Sequence, residues 1–206
     1  MLPISRDRLL TRLGLLLVGL ALYGVSTALI VRAGLGAVPW DVLHQGLSRT
    51  VGLEIGTWSI IIGALLLVAW IPLRQRAGLG TLANVILVGL AVNATLAVVP
   101  PLHGWVMPIG ALVLGVVLNG VATGAYIGAG MGPGPRDGLS TAIAARGHSL
   151  RLVRTIVEVT VVVLGVLLGG QFGVGTVLYA LAIGPLMHIT VPALRLRPIS
   201  TGPSPA

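Results

Sequence analysis

The residues able to do chemistry are few, and the most distinctive of them occur in two copies. The pattern Gly-x-Gly-x-x-Pro-x-Asp begins at Gly34 and again at Gly130, at an offset of 96 residues. Its members are Gly34, Gly36, Pro39 and Asp41 in the first copy, and Gly130, Gly132, Pro135 and Asp137 in the second. A carboxylate early in a short helix can cap free amides beside the positive dipole end. It can equally face a solute or an ion, and the sequence leaves both roles open.

Four further polar residues interrupt or border long apolar stretches. Glu158 lies one helical turn after Arg154, a spacing at which two side chains can pair with each other. Asn84 and Asn93 lie within apolar segments, where a polar group is costly and tends to face the interior of a helix bundle. Each can serve interhelical hydrogen bonding or a binding site. The candidate substrate-binding set is Asp41, Asp137, Arg136, Glu158, Asn84 and Asn93.

No pattern supports catalysis of the kind found in soluble enzymes. The chain has no cysteine, and its four histidines lack the spacing of metal ligands. No Ser–His–Asp set is recognisable. We therefore expect no enzymatic activity, no metal and no cofactor.

The composition predicts an integral membrane protein. Of the 206 residues, 55% are hydrophobic and only 9% are charged, and the mean hydropathy is +1.02. Soluble domains carry roughly a quarter charged residues. The net charge of +8 comes from arginines at the ends of apolar runs. That placement indicates membrane topology rather than nucleic-acid binding, so the expected partner is the lipid bilayer.

Apolar runs of about 20 residues predict membrane-spanning helices. Six occur, and the first is long enough to be a retained helix rather than a cleaved signal. They cover residues 13–31, 55–73, 81–99, 105–128, 152–168 and 174–194. A short helix over 39–50 follows the first motif and could lie on the interface or dip into the membrane.

The distribution of arginine predicts the orientation, because cytoplasmic loops are enriched in basic residues. With the N-terminus inside, the cytoplasmic side holds eleven arginines and the opposite side two, Arg32 and Arg49. The eleven are Arg6, Arg8, Arg12, Arg74, Arg76, Arg136, Arg146, Arg151, Arg154, Arg195 and Arg197. Both termini are therefore expected in the cytoplasm.

The chain contains an internal duplication. Besides the first motif, Gly78, Gly80 and Thr81 match Gly173, Gly175 and Thr176 at an offset of 95 residues. Each copy contains three spans, so the second enters the membrane from the opposite side. The prediction is an all-α polytopic membrane protein, a 3+3 inverted-topology repeat with a short Gly/Pro-broken amphipathic or re-entrant helix in each half. It forms one membrane domain, with repeats at about 13–99 and 105–194 and a flexible tail at 198–206.

Two structural roles follow from spacing alone. Thr81 and Thr176 are expected to cap the starts of the last helix in each half. Glycines recur at every fourth position in Gly120, Gly124, Gly128 and Gly132. Such a stripe lets membrane helices pack backbone to backbone, and we expect it to pack the fourth span against the first.

The motif Gly34 to Leu43, with Gly78 to Asn84 and Gly130 to Leu139, resembles the YczE/YyaS/YitT group of bacterial membrane proteins. The likeness runs from about Leu13 to Leu194. The chain has no soluble C-terminal domain of the kind that YitT-type members carry, which favours the YczE branch. The resemblance implies a bacterial plasma-membrane protein and supplies no catalytic residues.

Two functions fit these observations. The first is a small permease with a site between the inverted halves, where Arg32, Arg136 and Arg154 would favour an anionic or zwitterionic small-molecule substrate. The second is a membrane scaffold or accessory protein that organises a partner complex through its many inward-facing arginines. A polar cavity at the centre of the membrane would favour the permease, and a dry glycine-packed centre the scaffold. Homo-oligomers fit either function.

Overall fold

The computed structural model describes residues 8–196, and all of its regular structure is helical. The helices are α1 (Leu9–Ala33), α2 (Pro39–Val51), α3 (Ile55–Leu73), α4 (Leu79–Val98), α5 (Val106–Gly128), α6 (Pro135–Ala144), α7 (Leu150–Leu167) and α8 (Val174–Leu194). The predicted spans match α1, α3, α4, α5, α7 and α8 to within four residues at each end. The predicted short helix over 39–50 is α2. The predicted tail at 198–206 lies outside the described residues.

Five helices in the described part are long and apolar enough to cross a membrane: α1, α3, α4, α5 and α8. The helix α7 is not among them, because its 18 residues include Arg151, Arg154 and Glu158. An all-α polytopic architecture is therefore confirmed.

Glycine conformation explains why the chain turns after α1 and after α5. Gly34 and Gly130 adopt φ values of 67° and 68°, which end the preceding helices, and Pro39 and Pro135 occupy the first turns of α2 and α6. Gly36 and Gly132 have φ values of 121° and 125°. A Cβ at Gly36 would lie 2.7 Å from Thr176 Oγ1, and one at Gly132 would lie 2.7 Å from Thr81 Oγ1. The motif glycines are thus required by backbone geometry and by close packing.

Each glycine turn binds the start of the last helix in the other half. The Gly80 amide donates to the Met131 carbonyl at 2.8 Å, and the Gly175 amide donates to the Leu35 carbonyl at 2.8 Å. Thr81 Oγ1 accepts a hydrogen bond from the Gly78 amide at 3.2 Å, and Thr176 Oγ1 accepts one from Gly173 at 3.3 Å. The prediction that both threonines cap helix starts is confirmed.

The centre of the bundle is the contact between α1 and α5, with α4 packed on α1 and α8 packed on α5. The predicted close packing of the first and fourth spans is therefore present. The glycine stripe does not form this contact, however, and the predicted partner of the stripe is wrong. Cβ atoms at Gly120, Gly124 and Gly128 would meet Leu186, Thr190 and Leu194, all on α8. Gly132 lies beyond α5, in the turn. The contact between α1 and α5 instead uses Gly19, which faces Ala125 and Tyr126, and Gly115, which faces Ser26 and Ile30.

Each short helix packs against a helix of the other half, and the two contacts differ in their packing. The helix α2 packs on α7 backbone to backbone, because Gly165 lies against Val42 and Gly46 lies against the Gly165 carbonyl. In the other half, α6 packs on α3 through the indole of Trp70, which covers Gly138 and donates to the Pro135 carbonyl at 3.1 Å. A second inequality is that α3 packs along α4, whereas α7 and α8 are not packed against each other.

Candidate functional site

A polar cavity of about 80 Å³ lies between the two halves. Residues at the middle of four helices line it, namely Tyr23 on α1, Gly63 on α3, Val88 on α4 and Glu158 on α7. The first turns of α2 and α6 also reach it, through Pro39, Trp40 and residues 135–137. A single water needs about 10–15 Å³ by a comparable measure, so the cavity has room for several waters or a small polar solute.

Arg136 is one of the two arginines that line this cavity. Its guanidinium donates to Ser59 Oγ at 3.3 Å and lies 5.3 Å from the centre of the Trp40 ring, a cation–π distance. Among residues 8–196, no carboxylate lies within 4.0 Å of the Arg136 guanidinium. Its positive charge therefore faces the cavity without an acidic partner.

The other charged side chains that line the cavity form ion pairs with one another. Arg154 pairs with Glu158 at 3.1 Å and with Asp137 at 3.5 Å. The expected pairing of Arg154 with Glu158 is confirmed, and the second contact, with Asp137, joins α7 to α6. Tyr126 donates to the other Asp137 oxygen at 3.0 Å.

All three tyrosines of the chain line the cavity, a feature that sequence reasoning missed. Tyr23 and Tyr126 pack edge to face with centroids 6.1 Å apart. Tyr179 donates to Asn119 Oδ1 at 2.9 Å, and Asn119 in turn donates to Ser26 at 2.9 Å. Membrane tyrosines usually lie near the lipid–water interface. The position of Tyr23 at the middle of α1 is therefore the signal that could have indicated a polar interior.

The structure brings four of the six candidate residues to this cavity: Asn84, Arg136, Asp137 and Glu158. Asn93 lies elsewhere, where it accepts from the Gly56 amide at 2.7 Å and donates to Thr57 at 3.1 Å, joining α4 to α3. Asp41 does not line the cavity either and pairs with His44 on its own helix. Neither Asp41 nor Asp137 caps its helix.

A wider cleft of about 450 Å³ adjoins the cavity on the side where α5 ends and α7 begins. Asp137, Ser140 and Arg154 line both spaces. The far wall of the cleft includes Leu150 on α7 and Met187 on α8, the two helices that do not pack together. The cleft and the cavity therefore share a boundary that carries charged side chains.

Comparison with known proteins places the chain among membrane proteins. Residues 10–192 match the profile of a family of unknown function, DUF6198. An uncharacterized protein of Haemophilus influenzae is 39% identical over 177 residues, covering 85% of this chain and 81% of its own length. The uncharacterized membrane protein YczE of Bacillus subtilis is 38% identical over 173 residues, covering 82% of this chain and 80% of its own.

A third relative, the uncharacterized protein YyaS of Bacillus subtilis, is 30% identical over 182 residues, covering 85% of this chain and 90% of its own. No solved structure matches the chain significantly. The resemblance to YczE and YyaS that the glycine–proline–aspartate motif indicated is confirmed. With its five long apolar helices, the chain is a multi-pass membrane protein, and it belongs to the DUF6198 family.

Proposed function

We propose that the protein is a small solute permease of the bacterial plasma membrane, with one binding site between two inverted three-helix halves. The observation that carries this proposal is the cavity, which is polar, adjoins an open cleft and is lined by Arg136, a cation with no acidic partner among residues 8–196. Substrate sites between inverted repeats are common in secondary transporters. A scaffold would need no such space at its centre.

The inverted arrangement is supported by equivalent contacts in the two halves. The amides of Gly80 and Gly175, which are repeat equivalents, make the same hydrogen bond to the turn of the other half. The helix α1 packs on α4 as α5 packs on α8, and each short helix crosses to the third helix of the opposite half. These reciprocal pairs are what two copies of one unit inserted in opposite directions produce.

The helix α7 is the sixth span in this proposal. Its 18 residues are about 27 Å long at a rise of 1.5 Å per residue, close to the thickness of the hydrocarbon core. Arg154 and Glu158 line the cavity and pair with each other, and Arg154 also pairs with Asp137. Charged residues placed this way do not have to face lipid.

The permease would bind a small anionic or zwitterionic solute. The guanidinium of Arg136 supplies the charge, and the first turns of α2 and α6, whose amides carry partial positive charge, also line the cavity. Tyrosine hydroxyls and Asn84 offer further hydrogen bonds. We propose transport without chemical conversion of the solute.

The proposal is tested with the full-length protein in nanodiscs. We expect a small carboxylate, amino acid or phosphate ester to raise the melting temperature in a broad panel, and the same compound to enter proteoliposomes. Compounds of equal size without a negative charge are the matched control. The absence of both stabilisation and uptake across the panel would refute a permease.

The topology has its own test. With six spans, both termini lie in the cytoplasm, whereas with α7 outside the membrane the C-terminus would lie on the opposite side. We expect a fluorescent protein fused after Ala206 to fluoresce and alkaline phosphatase at the same position to be inactive. Phosphatase inserted at His103, between α4 and α5, should be active. An active phosphatase at the C-terminus would contradict the six-span proposal.

A further inference from the structure

Asp41 and His44 form a buried polar pair that the solute site does not use. They lie one turn apart on α2, with exposed fractions of 2% and 0%. His44 Nδ1 is 2.9 Å from Asp41 Oδ1. Within residues 8–196, the second carboxylate oxygen, Oδ2, and the second ring nitrogen, Nε2, are buried and have no hydrogen-bond partner. Two orphaned atoms on one buried pair are unusual, since nearly all buried polar side chains are satisfied.

The protonation of this pair decides whether it is charged. With a neutral imidazole donating from Nδ1 to Oδ1, the pair carries one negative charge, and both orphaned atoms are proton acceptors. One added proton makes the pair neutral overall. A net charge is costly in an apolar interior. The two groups are close enough to titrate as a unit rather than separately.

Arg136 on α6 is a charge outside the pair that acts on it. It acts on His44, and Trp40, the neighbour of Asp41 in the chain, lies against its guanidinium. Asp41 in turn acts on Tyr23 of α1 and Tyr179 of α8. The helix α3 carries no charged or titratable side chain. The helix α7 carries Arg151, Arg154 and Glu158, of which the last two pair with each other. The arginine proposed to bind the solute therefore also acts on this buried pair.

We propose that Asp41 and His44 bind one proton from water and that this proton is coupled to solute binding at Arg136. The field of Arg136 opposes protonation of the pair. An anionic group on Arg136 weakens that field, so solute binding favours proton uptake, and by reciprocity the proton favours solute binding. The coupling rests on the proposed function, and it makes the permease a proton–anion symporter. No bond other than that to the proton forms or breaks.

The test needs no solute, so its outcome is independent of the solute panel. Histidine is labelled with ¹⁵N in the full-length protein in nanodiscs, and the ring shifts are followed from pH 5 to pH 9. His44→Gln assigns the signal of interest. His103 and His148 lie in the loops before α5 and α7 and give histidine signals from outside the helices.

In the wild type we expect the His44 signal to titrate in the acidic part of this range, because burial lowers the pKa of this histidine below its ordinary value. Asp41→Asn removes the negative partner and should lower the midpoint by about one pH unit, tenfold in proton affinity. Arg136→Gln removes the opposing charge and should raise the midpoint. Arg146→Gln, an exposed arginine beyond α6, should leave it unchanged.

A His44 signal that does not change with pH would overturn proton binding. A midpoint that is the same in Arg136→Gln and in Arg146→Gln would overturn the coupling. Melting curves of each variant check that it is folded. Should Asp41→Asn fail to fold, the two arginine variants still decide the coupling.

Discussion

Replacing Gly89 by alanine should lower the melting temperature of the protein by about 5 °C or more, whereas the same change at Gly184 should alter it far less. The two glycines are repeat equivalents, on α4 and α8. A Cβ at Gly89 would lie 2.4 Å from the Gly56 carbonyl oxygen and 2.5 Å from Ile60. At Gly184 nothing lies within 4 Å.

The difference follows from the unequal packing of the third helices. Overpacking a close contact costs about 1–3 kcal/mol, and at Gly89 the obstacle is backbone, which cannot rotate away. At Gly184 no packing clash arises, and the helix preference of alanine over glycine, about 1 kcal/mol or less, is opposed by crowding between a new Cβ and the ring of the following Pro185. Both variants add one methyl group to a helical glycine of the same repeat position, so composition and expression are matched.

Thermal unfolding in nanodiscs, followed by tryptophan fluorescence, measures the effect. Gly110, which also has nothing within 4 Å, provides a second neutral control on α5. Equal melting temperatures for the Gly89 and Gly184 variants would mean that α3 and α4 are not in backbone contact.

The second expected result concerns Arg136. Arg136→Gln should weaken binding of an anionic solute at least tenfold, because hydrogen bonds to a charged group contribute about 1.5–3 kcal/mol and 1.4 kcal/mol corresponds to a factor of ten. Arg136→Lys keeps the charge but loses the planar fork that binds oxyanions with two bonds. We expect its affinity to lie between those of the wild type and the glutamine variant.

Arg146→Gln is the matched control, since its side chain is exposed and bonds only the Pro72 carbonyl. Solute dissociation constants from thermal shift or calorimetry in nanodiscs provide the measurement. If Arg136→Gln and Arg146→Gln bound the solute equally well, Arg136 would not be the anion-binding residue. Melting curves without solute separate loss of binding from loss of fold.

Much of the fold could be predicted because its signals are local. Apolar runs predicted the spans, because a helix that crosses the hydrocarbon core of a bilayer needs about 20 mainly apolar residues. The turns after α1 and α5 were predicted because glycine and proline restrict the backbone wherever they occur. Thr81 and Thr176 were predicted as caps because a cap acts within one turn of its own helix.

Contacts between residues that are distant in the sequence could not be predicted from residue spacing. The glycine stripe on α5 indicates that another helix packs closely against that face. The helix that does so is α8 and not α1, and nothing in the stripe itself distinguishes these two partners. Asn84 and Asn93 are both asparagines on α4, yet only Asn84 lines the cavity. Asn93 accepts a hydrogen bond from the Gly56 amide, and it is the packing of α3 against α4 that brings this amide within hydrogen-bonding distance.

The contact of Trp70 with Gly138 has a consequence for the permease proposed above. Where α2 meets α7, glycines allow the two backbones to touch. The repeat position of Gly165 is occupied by Trp70 in the other half, and its indole lies between α3 and α6. In the proposed permease, these two contacts would be the closing surfaces on opposite sides of the site, and they would differ in how closely they can shut. We therefore expect such a permease to rest open on the Trp70 side, with the size of one side chain setting the balance between its two conformations.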